Sequence, residues 1–251
     1  MKTYYLLFLC GLFLHFSSNA QPGVGSPPSQ FVQTEPPASQ TQIFNDAKKY
    51  GYNPDGTLKV DVTGSPFWND EWRQAQLFDN RDSSYGVYPV KINFAEGVVY
   101  FKNRKGTEMV INEGQVKKII IYNNQVENKV IAVFRYHIAD LEAIKKEKNI
   151  LVQEMNTGNN RLLKITKRGI ETRDSLFGTL KTFYYKDQYE YFVETGNRVS
   201  QLKKMNKEDF LALIPSSSKY KDWINENKLK FKKEADFIEF LAYYNSQEDE
   251  K

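Results

Sequence analysis

The chain has 251 residues, a formal net charge of +4, 14% aromatic residues and one cysteine. Its lysines interleave with glutamates and form no basic stripe with spaced aromatics, which excludes a nucleic-acid surface. A single thiol excludes a disulfide framework and a thiolate metal centre, so stability must come from a core, and this length suffices for one large or two small domains.

Lys2 supplies a positive charge, and residues 4–16 form an apolar run interrupted by Gly11 and His15. That run is too short to span a bilayer and has the form of a secretory signal core. Ser18, Asn19 and Ala20 put small residues where a signal peptidase reads, so cleavage is expected before Gln21. Residues 1–20 are therefore read as a signal peptide, and the mature chain has no cysteine and, without Lys2, a charge one below +4, that is +3. Cys10 follows Phe8 and Leu9 inside the apolar run, whereas a lipid-acceptor cysteine would close it. No later segment reads as a membrane span.

Residues 21–42 are rich in Pro, Ser, Gln and Thr, with few large apolar side chains to offset the entropy of ordering, and are expected to be a disordered linker. A short helix over 43–50 is ended by Gly51, and Asn53, Pro54, Asp55 and Gly56 form a turn. Leu58, Val60 and Val62 alternate with polar residues, as in a strand running up to Gly64. Over 87–137 short alternating runs are separated by Glu96-Gly97, Lys105-Gly106, Glu113-Gly114 and Asn123-Asn124, connections too short for crossover helices, so the sheet should be an antiparallel meander. Two hairpins follow, turning at 157–160 and at 195–197, with a lysine-rich loop or single helical turn at 145–148 before them.

From 204 onward the apolar spacing becomes helical. Phe210, Leu211 and Ile214 mark one segment, Tyr220, Trp223 and Ile224 a second, and Phe237, Phe240, Leu241 and Tyr244 a third. The expected fold is α+β: a β-rich domain over 43–203, as an open barrel or two layers, with about three short helices over 204–251 packed on it.

Gly64-Ser65-Pro66-Phe67-Trp68-Asn69-Asp70-Glu71-Trp72, the Tyr184-Tyr185 region, residues 223–230 and Ala242-Tyr243-Tyr244-Asn245 resemble a family of exported Bacteroidota proteins without assigned activity. The resemblance implies an exported, β-rich protein of a Gram-negative bacterium, in the periplasm or outside the cell, and brings no catalytic residues with it. Trp68 departs from the leucine more usual in that motif.

The residues offer little chemistry. His137, the one histidine beyond the signal, sits at a strand end, where a structural role is expected, and without cysteine or a second histidine a zinc site lacks ligands. No Gly-x-Ser-x-Gly elbow and no phosphate-binding glycine loop is present. Asp70, Glu71, Asp79 and Asp82 cluster near aromatics, leaving open a pair of carboxylates cleaving a glycosidic bond, and Asp79, Asp82 and Ser84 offer oxygens without the spacing of an EF-hand. Trp68 and Trp72, four apart, would share a face on a helical turn. They are expected to anchor the core or, with Asp70 and Glu71, to form a ligand platform. The chain therefore reads as a non-enzymatic binding or envelope-associated protein, needing no cofactor or metal, with a ligand or an envelope protein as partner. The competing readings are a carboxylate-dependent glycan hydrolase and an assembly protein docking through its C-terminal helices.

Overall fold

The structure, a computed structural model, describes residues 62–111, 114–125, 129–147, 150–174, 181–196 and 198–248. The signal, the linker, the helix expected over 43–50 and most of the strand expected before Gly64 lie outside the described residues.

Eleven strands are described: β1 (Val62–Thr63), β2 (Arg73–Phe78), β3 (Ser84–Asn93), β4 (Val98–Lys102), β5 (Glu108–Val110), β6 (Lys118–Tyr122), β7 (Val130–Arg135), β8 (Val152–Glu154), β9 (Asn160–Asp174), β10 (Lys181–Thr195) and β11 (Arg198–Leu202). They form one sheet in the order β1-β10-β9-β8-β7-β6-β2-β3-β4-β5, with β11 also on β10. All pairs are antiparallel except β1 with β10, where Val62 faces Phe183 in a parallel register. The expected α+β fold is present, as an open sheet with β5 at one edge. Strand β2 carries no expectation from the sequence pattern, and its buried apolar positions are Ala75 and Leu77.

Two-residue alternation decides which face each side chain joins. Leu77, Tyr88, Val90, Val99, Phe101, Ile119, Ile121 and Phe134 all bury into one cluster that draws on β2 to β7, with Trp68 and Phe94 packed against it. Among the described residues no helix contributes to this cluster. β9 and β10 bury both faces. Leu162 and Val193 point to one side, and Leu163, Ile165 and Phe192 to the other.

The second side is covered by helix α1 (Ala139–Lys145), which supplies Leu141. The first is covered by α2 (Lys207–Leu211), a 3-10 turn (Ser217–Tyr220), α3 (Lys221–Glu226) and α4 (Glu234–Glu248). Phe237, Phe240 and Leu241 are fully buried and Tyr244 nearly so, in a cluster with Leu162 and Val193 of the sheet. The apolar helical stripe read in the sequence thus docks on the protein's own strands, at about 1.5–3 kcal/mol per large side chain buried. Asn245 locks α4 in place. Its Oδ1 accepts from the Asn160 amide and side chain at 3.0 and 2.8 Å, while its Nδ2 donates to the carbonyls of Thr157 and Asn160.

Candidate functional site

Four residues were candidates for a ligand platform, and the structure gives each its own setting. Phe67 bridges Asn93, and the Trp68 amide donates to the Ile92 carbonyl, so this segment is extended rather than a helical turn. The Trp68 ring meets Phe134 edge-on at 5.6 Å and packs, partly buried, against the inner cluster. Trp72 is half-buried, with the Lys102 ammonium 4.5 Å from its ring centre. Asp70 accepts from the Ser65 hydroxyl, and Glu71, 68% exposed at its side chain, pairs with Arg73.

The other two acids of the cluster are also engaged. Asp79 accepts from the amides of Arg81 and Ser83, closing the β2–β3 turn. The Lys117 ammonium bonds Asp82 at 2.8 Å and holds its carboxyl below the usual range. Each carboxylate in the stretch therefore accepts a hydroxyl, closes a turn or balances a cation.

Arg168 of β9 fastens the Gly64–Trp72 segment to the sheet. Its Nε and Nη2 donate to the two oxygens of Asp187 across the β9–β10 ladder, and its Nη1 donates to the carbonyls of Ser65 and Phe67. The guanidinium keeps the Asp187 carboxyl below the usual carboxylate range despite partial burial. Gly64, at φ 95°, lets the chain leave β1 toward this clamp with Tyr185 against it. This is a structural device, built where the sequence motif stands.

The candidate site lies instead where β7 passes into α1. A cleft of about 230 Å³ opens there beside His137, with Lys117 and Arg135 supplying cations and Asp140 and Glu194 supplying acids. Ile138, Ala139 and Val199 give it an apolar wall. A tight turn is needed between the last residue of β7 and the first of α1, and it puts His137 at φ 58°. A left-handed conformation in a residue with a Cβ costs roughly 1–3 kcal/mol.

The ring adds a second cost. His137 Nδ1 faces a Glu142 carboxylate oxygen at 3.6 Å, beyond hydrogen-bond reach, and Nε2 is buried without a partner. An unpaired buried polar atom costs about 1–3 kcal/mol. Sequence patterning assigned His137 a structural role, and nothing in the residue types around it signals either the backbone conformation or the unpaired nitrogen.

Two residues of the lining, Arg135 and Glu194, belong to an ion-pair network. Glu194, 9% exposed, accepts on one oxygen from Arg135 at 2.7 Å and from Arg161 at 2.9 Å, and Glu154 lies 2.9 Å from Arg135. Two arginines and two glutamates alternate across β7, β8, β9 and β10, so the network is neutral and its members are held in one geometry. The Lys117 ammonium is oriented by Asp82, and one oxygen of Asp140 accepts from the Val199 amide at 3.2 Å. Among the described residues no group of three or more His, Cys, Asp or Glu is placed to hold a metal ion. No helix among them is long and apolar enough to cross a membrane.

Comparison with protein-family models, with curated proteins and with solved structures gives no match to this chain.

Proposed function

We propose that this is an exported, non-enzymatic binding protein that takes a small polar ligand in the cleft beside His137. The observation that carries the reading is His137 itself: a strained backbone and a buried, unpaired ring nitrogen at a cleft lined by fixed charges. Folding tolerates such costs where the surrounding structure over-determines them, and they concentrate at binding and catalytic sites. Export rests on the signal-like first twenty residues and on the resemblance to exported Bacteroidota proteins.

The glycan-hydrolase reading has less behind it, since Asp70 is engaged by the Ser65 hydroxyl, and Glu71, Asp79 and Asp82 each serve a turn or an ion pair. Docking through the C-terminal helices loses its motive, because their apolar face is buried on the protein's own sheet.

The test is a thermal-unfolding panel with amino acids, dicarboxylates, monosaccharides and nucleosides, alongside a turnover assay on glycosides, esters and peptides. Saturation at a hundred times Kd stabilises by about 2.7 kcal/mol, a rise of about 5–10 °C at this size. One class should produce such a rise in the wild type and none in Ala139→Trp, whose exposed position lets a bulky side chain fill the cleft without disturbing the core. No ligand-induced rise, a rise that survives Ala139→Trp, or turnover abolished by a single polar substitution would each refute the proposal.

A further inference from the structure

We infer that the ligand of the His137 cleft is a small zwitterion, an α-amino acid bearing both a free ammonium and a free carboxylate; this rests on the binding reading above. Three features of the cleft converge on it: size, wall and the arrangement of charge.

The cleft, of about 230 Å³, has room for a free amino acid. Ile138 and Val199 are buried apolar residues on the wall, able to receive a short aliphatic side chain. The charged lining is of both signs, which suits neither a simple anion nor a simple cation.

Local neutralisation assigns the two ends. Arg135 and Glu194 are mutually balanced within the four-membered network, so they contribute directed polar atoms but little net field. Lys117 has three donors, of which Asp82 takes one on the exposed side. The remaining donors make Lys117 the carboxylate-recognising group. Asp140 accepts a backbone amide but faces no cation within ion-pair distance among the described residues. That unbalanced acidic side, with Asp140 at the rim, is the place for the ligand ammonium. A ligand with opposite charges at its two ends satisfies both sides at once, whereas a single charge leaves one desolvated group unpaired.

Metal ions do not fit the same acids, since no three ligating side chains converge there among the described residues. An ammonium requires only one carboxylate and polar neighbours, and that is what the cleft provides.

Isothermal titration calorimetry distinguishes the two levels of this account. The probes are L-alanine, L-alanine amide, which keeps only the positive end, N-acetyl-L-alanine, which keeps only the negative end, and succinate and glucose as unrelated classes. L-alanine should bind the wild type, and each blocked derivative should bind at least tenfold more weakly. Asp140→Asn keeps the carbonyl that accepts the Val199 amide and removes only charge, and Lys117→Met removes the ammonium. Each should weaken L-alanine at least tenfold, Asp140→Asn with an unchanged melting temperature and Lys117→Met with a fall of no more than about 4 °C from loss of the exposed Asp82 pair, and Ala139→Trp should abolish binding. If a blocked derivative, succinate or glucose binds as well as L-alanine and Ala139→Trp abolishes it, the zwitterion inference is overturned while the binding cleft stands. Binding of L-alanine that is indifferent to all three substitutions overturns it too. If none of the probes binds, the zwitterion inference falls, and the wider panel decides the cleft.

Discussion

Removing the Arg168 guanidinium should separate the Gly64–Trp72 segment from the β9–β10 ladder. Arg168→Ala deletes a bidentate ion pair with Asp187 and two bonds to the Ser65 and Phe67 carbonyls, and leaves the Asp187 carboxylate without its cation and with the Tyr189 hydroxyl as its remaining hydrogen-bond donor among the described residues. Breaking a buried pair by removing one partner costs about 3–5 kcal/mol. Here the side chains are 16% and 21% exposed, so water reclaims part of that, and the expected loss is about 2–4 kcal/mol. At this chain length that lowers the melting temperature by about 4–15 °C.

The loss should depend on pH in one direction. Arg168 depresses the folded-state pKa of Asp187, so the stabilisation is complete above the ordinary aspartate pKa of the unfolded chain and disappears as pH falls through the lower, folded value. The wild-type advantage over Arg168→Ala should therefore be constant near neutrality and shrink on acidification below about pH 4. Urea unfolding followed by tryptophan fluorescence reads the difference, with Trp68 reporting directly from the segment that the clamp holds. Asp187→Asn should cost less, since Arg168 keeps both carbonyls, and should show no such acid dependence. A loss within about 0.5 kcal/mol for Arg168→Ala, or a gap that widens on acidification, would refute the reasoning.

Three other substitutions test the architecture. Gly158→Ala places a Cβ 2.3 Å from the Asn245 side-chain nitrogen at φ 104°, so a loss of about 2–4 kcal/mol is expected by chemical denaturation, and a neutral result would contradict the Asn245 lock. Phe240→Ala removes a fully buried ring that touches Phe210, Phe231, Trp223 and Tyr244, and should cost about 3–5 kcal/mol; a loss below about 1 kcal/mol would mean that the helical cap is not part of the cooperative core. His137→Gly relieves the left-handed strain and removes the unpaired nitrogen, so it should be neutral or stabilising by up to about 1 kcal/mol while weakening ligand binding. Clear destabilisation of His137→Gly would make the histidine a structural residue only.

Much of the architecture could be read from the residues because burial imposes a period. Val90 and Ile92, then Val99 and Phe101, alternate inward along neighbouring strands, and Phe237, Phe240, Leu241 and Tyr244 repeat at helical spacing. The parallel seat of β1 on β10 was not legible, since a two-residue strand has no pattern of its own. Strand β2 was hidden because Arg73, Gln74 and Gln76 leave it only two buried apolar residues.

The candidate site is harder to read for a related reason. Lys117, Arg135, Asp140 and Glu194 come from four separate segments, and only the register of β6, β7 and β10 brings them to one cleft. The tryptophans and acids that stood out in the sequence did so through local density, and that density is divided between the β2–β3 turn and a segment anchored by Arg168, a residue about a hundred positions away. Charge at a site is set by which cations and acids face one another in space, and sequence proximity carries little of it.

The most direct measurement of the central claim is the side-chain 1H–15N spectrum of His137, the only histidine after residue 20. Titration with L-alanine should move both ring-nitrogen signals in step with calorimetric saturation, and Ala139→Trp should leave them still. Ring signals that stay fixed while the protein demonstrably binds a ligand would place binding elsewhere and contradict the account.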